Sequence, residues 1–113
     1  MWPRNRTGYN NLAWVLVTSK DPRYRNGKRA LELIQTAIQL TLIDDFRMWD
    51  TLAAVYAELD QFDKAVSAQS KSIMIAEKLG EEEFLDELKE ALSAYERGRR
   101  PHKTDVRNGF INE

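Results

Sequence analysis

The chain has 113 residues, a formal net charge of −1 and no cysteine. That length suits one small domain, and the near-balance of charge gives no general attraction to nucleic acid. Disulfides and thiolate metal sites are excluded, and a single histidine, His102, leaves no histidine cluster for zinc.

Residues 1–7 are polar, include Pro3, and read as a lead-in with Arg4 and Arg6 solvated. A first helix is expected from about Gly8 to Thr18, with Tyr9, Leu12, Ala13 and Leu16 on one stripe and Trp14 off it. Pro22 and the pair Asn26-Gly27 then mark a turn. A second helix follows from near Gly27 to about Leu42, with Ala30, Ile34, Ala37 and Ile38 on its stripe. The segment between them reads as a structural connector with Tyr24 folded back on the hairpin. Its alternative role is contact with a partner through Arg23, Tyr24 and Arg25.

Asp44 or Asp45 is placed to cap a third helix, which spans about Asp45 to Leu59. Trp49, Leu52, Ala53 and Tyr56 form its stripe. They repeat the spacing of Tyr9, Leu12, Ala13 and Leu16 after a shift of 40 residues. The turn at Asp60-Gln61 lacks glycine, but aspartate tolerates left-handed backbone better than most residues. A fourth helix runs from about Phe62 to Leu79, closed by Gly80. Its Ala65, Gln69, Ser72 and Ile73 match Ala30, Ile34, Ala37 and Ile38 after a shift of only 35, so the first connector is five residues longer. Loop closure entropy grows slowly with length, so such an insertion costs little.

The fifth helix covers about Glu82 to Arg97, with Leu85, Leu88, Leu92 and Tyr95 on its stripe. Lys89 stands where the earlier stripes have Ala13 and Ala53, and carboxylates surround it. One side of this helix is therefore expected to be wet, as on a terminal cap. From Gly98 the chain is locally basic and has no apolar stripe. It reads as a flexible tail, as a strap held by Phe110 and Ile111, or as a weak dock for an anion.

Each hairpin carries apolar surface on both helices and needs a neighbour to bury it. Trp49, Leu52, Tyr56, Ile34, Ile38 and Ile73 are expected at the centre. Ala13, Ala37, Ala53 and Ala65 are expected where backbones approach closely. Tyr9, Leu12 and Leu16 have no preceding hairpin, so the lead-in with Trp2, another copy or a further domain is needed to cover them.

The pattern Trp49, Leu52, Ala53, Tyr56, Phe62, Ala65 resembles a tetratricopeptide (TPR) repeat. The likeness extends over about Tyr9 to Tyr95. It is weaker where Leu16 replaces the tyrosine, where the first turn is enlarged, and where Gln69 and Ser72 replace the family's large and small residues. The resemblance implies an all-α fold of antiparallel hairpins stacked as a short right-handed solenoid of five helices. In that division residues 1–7 are the lead-in, 8–43 repeat one, 45–79 repeat two, 82–97 a capping helix and 98–113 a basic tail. It also implies a concave groove for a peptide or partner helix, lined by Asn10, Trp14, Val17 and Thr18 and by Arg47, Asp50, Ala54, Ala57 and Glu58. Trp14 is its candidate anchor, and packing under the long loop or lead-in is the alternative. The paired basic residues of chaperone-tail clamps are missing.

No catalytic constellation is found. The carboxylates share helix faces with lysine and arginine, and no serine has a histidine near it in sequence. The scattered glycines make no phosphate loop. The expected function is therefore protein–protein interaction, without enzyme activity, cofactor or metal. The alternative is a structural, self-associating terminal TPR fragment of a larger assembly or multidomain protein, with a homodimer as one form of self-association. Nucleic-acid binding through Arg97, Arg99, Arg100, Lys103 and Arg107 is disfavoured, since so short a cluster lacks interleaved aromatics. No apolar run reaches the roughly 18 residues of a membrane span. Met1–Arg6 lacks the apolar core of a secretory signal, so a cytoplasmic location is expected if Met1 is the natural start.

Overall fold

The computed structural model describes residues 6–41 and 45–101. Among them there are five α-helices and no strand. These are α1 Arg6–Thr18, α2 Gly27–Gln39, α3 Phe46–Glu58, α4 Phe62–Leu79 and α5 Glu82–Glu96, with a 3-10 turn at Pro22–Tyr24. The all-α expectation holds, and the helix limits fall within three residues of those read from the pattern. The expectations for Trp2, Leu42, Asp44, His102, Lys103, Arg107, Phe110 and Ile111 lie outside the described residues.

Short polar side chains start α2 and α3 by occupying backbone N–H groups that have no partner within the helix. The Asp45 carboxylate accepts from the Arg47 N–H at 2.9 Å and so caps α3. The Asn26 side chain accepts from the Arg29 N–H at 3.1 Å and caps α2. Such caps contribute about 1 kcal/mol each.

Three helices end in the same way. Asp60, Gly80 and Gly98 take left-handed backbone, with φ of 63°, 74° and 73°. At each, two N–H groups turn back onto the last carbonyls. Gln61 donates to Tyr56 and Asp60 to Ala57; Glu81 donates to Ala76 and Gly80 to Glu77; Arg99 donates to Ala94 and Gly98 to Tyr95. This is the paired closure of a Schellman turn. Asp60 does without glycine, as its short polar side chain allows. It also accepts both Arg100 nitrogens, Nε at 2.9 Å and Nη2 at 2.6 Å. The first residues after α5 are thereby held against the α3–α4 turn, and Pro101 is buried.

Antiparallel neighbours pack most closely: α1 on α2, α3 on α4, and α4 on α5. Between hairpins, α3 meets both α1 and α2. Ala13, Ala30, Ala37, Ala53 and Ala65 are each fully buried, as expected of small residues at close helix contacts. Gly27 marks another close approach. A Cβ there would lie 2.7 Å from Leu59 Cδ2, so a side chain at the start of α2 would oblige Leu59 to shift.

Ile34, Leu52 and Ile73 are buried as expected, but Trp49, Tyr56 and Ile38 are only half-buried. Trp49 and Tyr56 are large, and they pack against the core at the margin of the helix interface rather than at its centre. Gln69 and Ser72 are buried where the first hairpin has Ile34 and Ala37, and both are hydrogen-bonded. Gln69 Nε2 donates to Asp50 Oδ1 and to the Leu88 carbonyl, both at 3.0 Å, and so ties α3, α4 and α5 together. Ser72 Oγ donates to the Phe46 carbonyl at 2.8 Å. Lys89 is exposed, in keeping with a wet outer side on α5.

Candidate binding cleft on α3 and α4

Helical spacing places Trp49, Leu52 and Tyr56 on one side of α3, and Lys64, Ala68 and Lys71 on one side of α4. The two rows face a cleft of about 560 Å³, completed by Asp63 and Ser67. Leu52 and Ala68 are buried in its floor, while the two aromatic rings are half-buried along it. Lys71 Nζ lies 4.9 Å from the centre of the Trp49 ring, and Lys64 Nζ lies 5.6 Å from that of Tyr56. An ammonium over a ring face gains about 0.5–1 kcal/mol at an exposed site. Among the described residues neither lysine has a carboxylate within salt-bridge distance. The arrangement offers an apolar, aromatic surface with two cations seven residues apart, or roughly 10 Å along the helix axis. It can take an apolar side chain and a pair of anions; it presents no nucleophile paired with a base.

The residues expected in a concave groove are dispersed. Val17, Ala54 and Ala57 are fully buried, the two alanines in the cluster that also holds Ala91 and Tyr95 of α5. They provide packing and no binding surface. Trp14 is half-buried against the same core, and Thr18 Oγ1 donates to the Trp14 carbonyl at 2.8 Å. Asn10 is half-buried, and its Oδ1 is shielded from solvent without a hydrogen bond. Asp50 is engaged by Gln69. Arg47 stacks on Phe46 and on Phe84 of α5, at 5.0 and 5.7 Å. Glu58 lies at the other end of α3, roughly 16 Å away along the axis. Burial raises its carboxyl above the ordinary range, against the opposing pull of Arg100 and Arg25. Arg47 and Glu58 thus stand at opposite ends of α3.

Tyr24 lies beside Leu12, Val15 and Leu16 of α1 but is 60% exposed, beneath the guanidinium of Arg23, which is itself held by Asp21 through a hydrogen bond of 2.7 Å. That contact also draws the Asp21 carboxyl below its usual range.

Lys64 and Lys71 were not singled out by the sequence pattern. Their seven-residue spacing beside Ser67 puts them on one face of α4, but only the α3–α4 packing shows that this face adjoins Trp49 and Tyr56. Among the described residues no helix is long and apolar enough to cross a membrane. Comparison of the chain with protein-family models, curated proteins and solved structures yields no match.

Proposed function

We propose that this protein is a short TPR-like interaction module that binds, without chemistry, a peptide carrying apolar and acidic residues. The observation that carries the reading is the cleft between α3 and α4, where Lys64 and Lys71 overlie Tyr56 and Trp49 without a carboxylate partner among the described residues. Desolvated aromatics commonly anchor interfaces, and complementary charge sets orientation and encounter rate. The TPR-like stacking is supported by the internal repeat and by the full burial of alanines at matching positions, Ala13 with Ala53 and Ala30 with Ala65.

The test is a titration, by calorimetry, of the full chain with a synthetic leucine–glutamate amphipathic peptide and with its leucine–lysine analogue. The acidic peptide is expected to bind, and Lys64→Glu with Lys71→Glu to weaken it at least tenfold while leaving the melting temperature nearly unchanged. Equal affinity for both peptides, or no effect of the double substitution, would overturn the assignment to this cleft. Trp14→Ala and Arg47→Glu probe the concave face implied by the family resemblance. On the present reading both retain the peptide.

A further inference from the structure

Helix α1 carries apolar surface that the internal repeat predicts should be covered. On α3, Leu52 and Val55 are buried in the core cluster, at 6% and 0% exposure, where α3 meets the first hairpin. Their counterparts 40 residues earlier, Leu12 and Val15 on α1, are 46% and 52% exposed. Together with Leu16, Tyr24, Arg23 and Arg25 they line a cleft of about 450 Å³. Between Thr7 and Thr41 there are five cations, Lys20, Arg23, Arg25, Lys28 and Arg29, against two carboxylates, Asp21 and Glu32.

The α5 end has the opposite sign. Between Glu81 and Glu96 there are seven carboxylates and one cation, Lys89. Glu82, Glu83, Asp86 and Glu90 are exposed, on the side of α5 away from its buried Leu88, Ala91 and Tyr95. Phe84 and Leu85 lie half-buried beside them. Helix α5 packs principally on α4, whereas α1 packs on α2 and α3.

We infer that these ends recognise one another between copies of the chain: the acidic face of α5 in one copy docks on the basic, apolar face of α1 and its connector in the next. This goes beyond peptide binding and uses different surfaces, so the α3–α4 cleft stays open along the chain of copies. A second copy is chosen over an α1-to-α1 pair because like charges would then meet. Two unlike patches make a head-to-tail contact, which adds copies instead of stopping at a pair. Asp21 takes up part of the Arg23 charge and Glu32 part of that of Arg29; the excess over residues 7–41 is three positive charges (five less two), with Lys20 and Lys28 exposed.

Light scattering of the full chain over a wide concentration range tests this. At low ionic strength the average mass is expected to rise past that of two copies and to fall back at about 1 M salt, where screening acts over roughly 3 Å. Lys20→Glu with Arg23→Glu, and separately Glu83→Lys with Glu90→Lys, are each expected to weaken association at least tenfold. All four side chains are exposed, so both variants should keep the parental circular-dichroism melt. In an equimolar mixture the unaltered acidic end of the first variant still meets the unaltered basic end of the second, so mixed pairs of two copies should form. For the parent, a single-copy mass throughout or a mass that stops at two copies, and for the variants a mixture that forms no pairs, would overturn the inference.

Discussion

The two hairpins share one pattern and meet different surroundings. In the second, the Gln61 N–H closes the turn on the Tyr56 carbonyl at 2.8 Å; in the first, the Asn26 N–H closes it on the Leu16 carbonyl, also at 2.8 Å. Leu16 matches Tyr56 in the 40-residue shift, and Asn26 matches Gln61 in the 35-residue shift. The five extra residues are thus spliced inside a conserved closing hydrogen bond, and the helices on either side keep their register. What differs is burial. Leu52 and Val55 are covered while Leu12 and Val15 are open, although the local patterns are alike. A stripe specifies which residues face a neighbour; whether a neighbour is there is a property of the stack.

The largest expected effect comes from Ala53, which is fully buried in α3 between the first hairpin and α4. Ala53→Arg forces a long charged side chain into that contact. Overpacking combined with an unpaired buried charge is expected to cost more than about 4 kcal/mol and to remove cooperative unfolding. A normal melting temperature would reject the packing register described for α3.

The comparison is sharpened by the matched pair Leu52→Ala and Leu12→Ala. Truncating a buried leucine costs about 2–5 kcal/mol. Leu12 is nearly half exposed, so its loss should cost less than about 1 kcal/mol in the monomer. Urea midpoints at low protein concentration measure both. Equal losses would mean that the α1 face is covered in the isolated chain.

The sequence allowed the helices to be read because they carry local signals: the period of the apolar stripes, the Asn26-Gly27 turn, a capping aspartate at 44 or 45, and the left-handed stops at Asp60 and Gly80. These are local, and local chemistry fixes them. A TPR-like order of the hairpins is implied by resemblance alone. The degree of burial was less legible. Trp49 and Tyr56 belong to the stripe but sit at its margin, and Val17, Ala54 and Ala57 look like groove positions yet are covered. The candidate cleft escaped notice because it joins residues of two helices whose relative rotation no single periodicity reports.

A smaller effect separates the polar positions of the two hairpins. Asp50 and Gln69 are bonded across the second hairpin; at the corresponding positions of the first stand Asn10 and Ile34, and the apolar Ile34 has no donor to give. Gln69→Ala should therefore cost about 2–3 kcal/mol, because Asp50 loses a donor and a gap remains beside α5. Asn10→Leu should do the reverse and stabilise the chain by about 1 kcal/mol, since a shielded acceptor without a hydrogen bond carries a desolvation penalty. Denaturant unfolding of both variants checks the contrast. A loss on Asn10→Leu would show that the Asn10 amide has a stabilising role.

The smallest effect is read from pH at the end of α3, where the longer first connector and the residues after α5 both approach Glu58. Burial raises the Glu58 carboxyl above its ordinary range, and Arg100 and Arg25 offset this only in part. In the window between the ordinary and the raised value, the folded state holds a proton that the unfolded state has released. Stability then falls as pH rises through that window and stays lower above it. Glu58→Gln removes the ionisation. The variant is expected to be slightly more stable than the parent near pH 7, with the difference shrinking towards about pH 4, where both states of the parent bind the proton. Paired melts across that range isolate Glu58, because every other carboxylate titrates in both proteins. A variant less stable at neutral pH would mean that attraction to Arg25 and Arg100 outweighs the desolvation. The junction of the long connector with α3 and the α5 extension would then be held by charge rather than by packing.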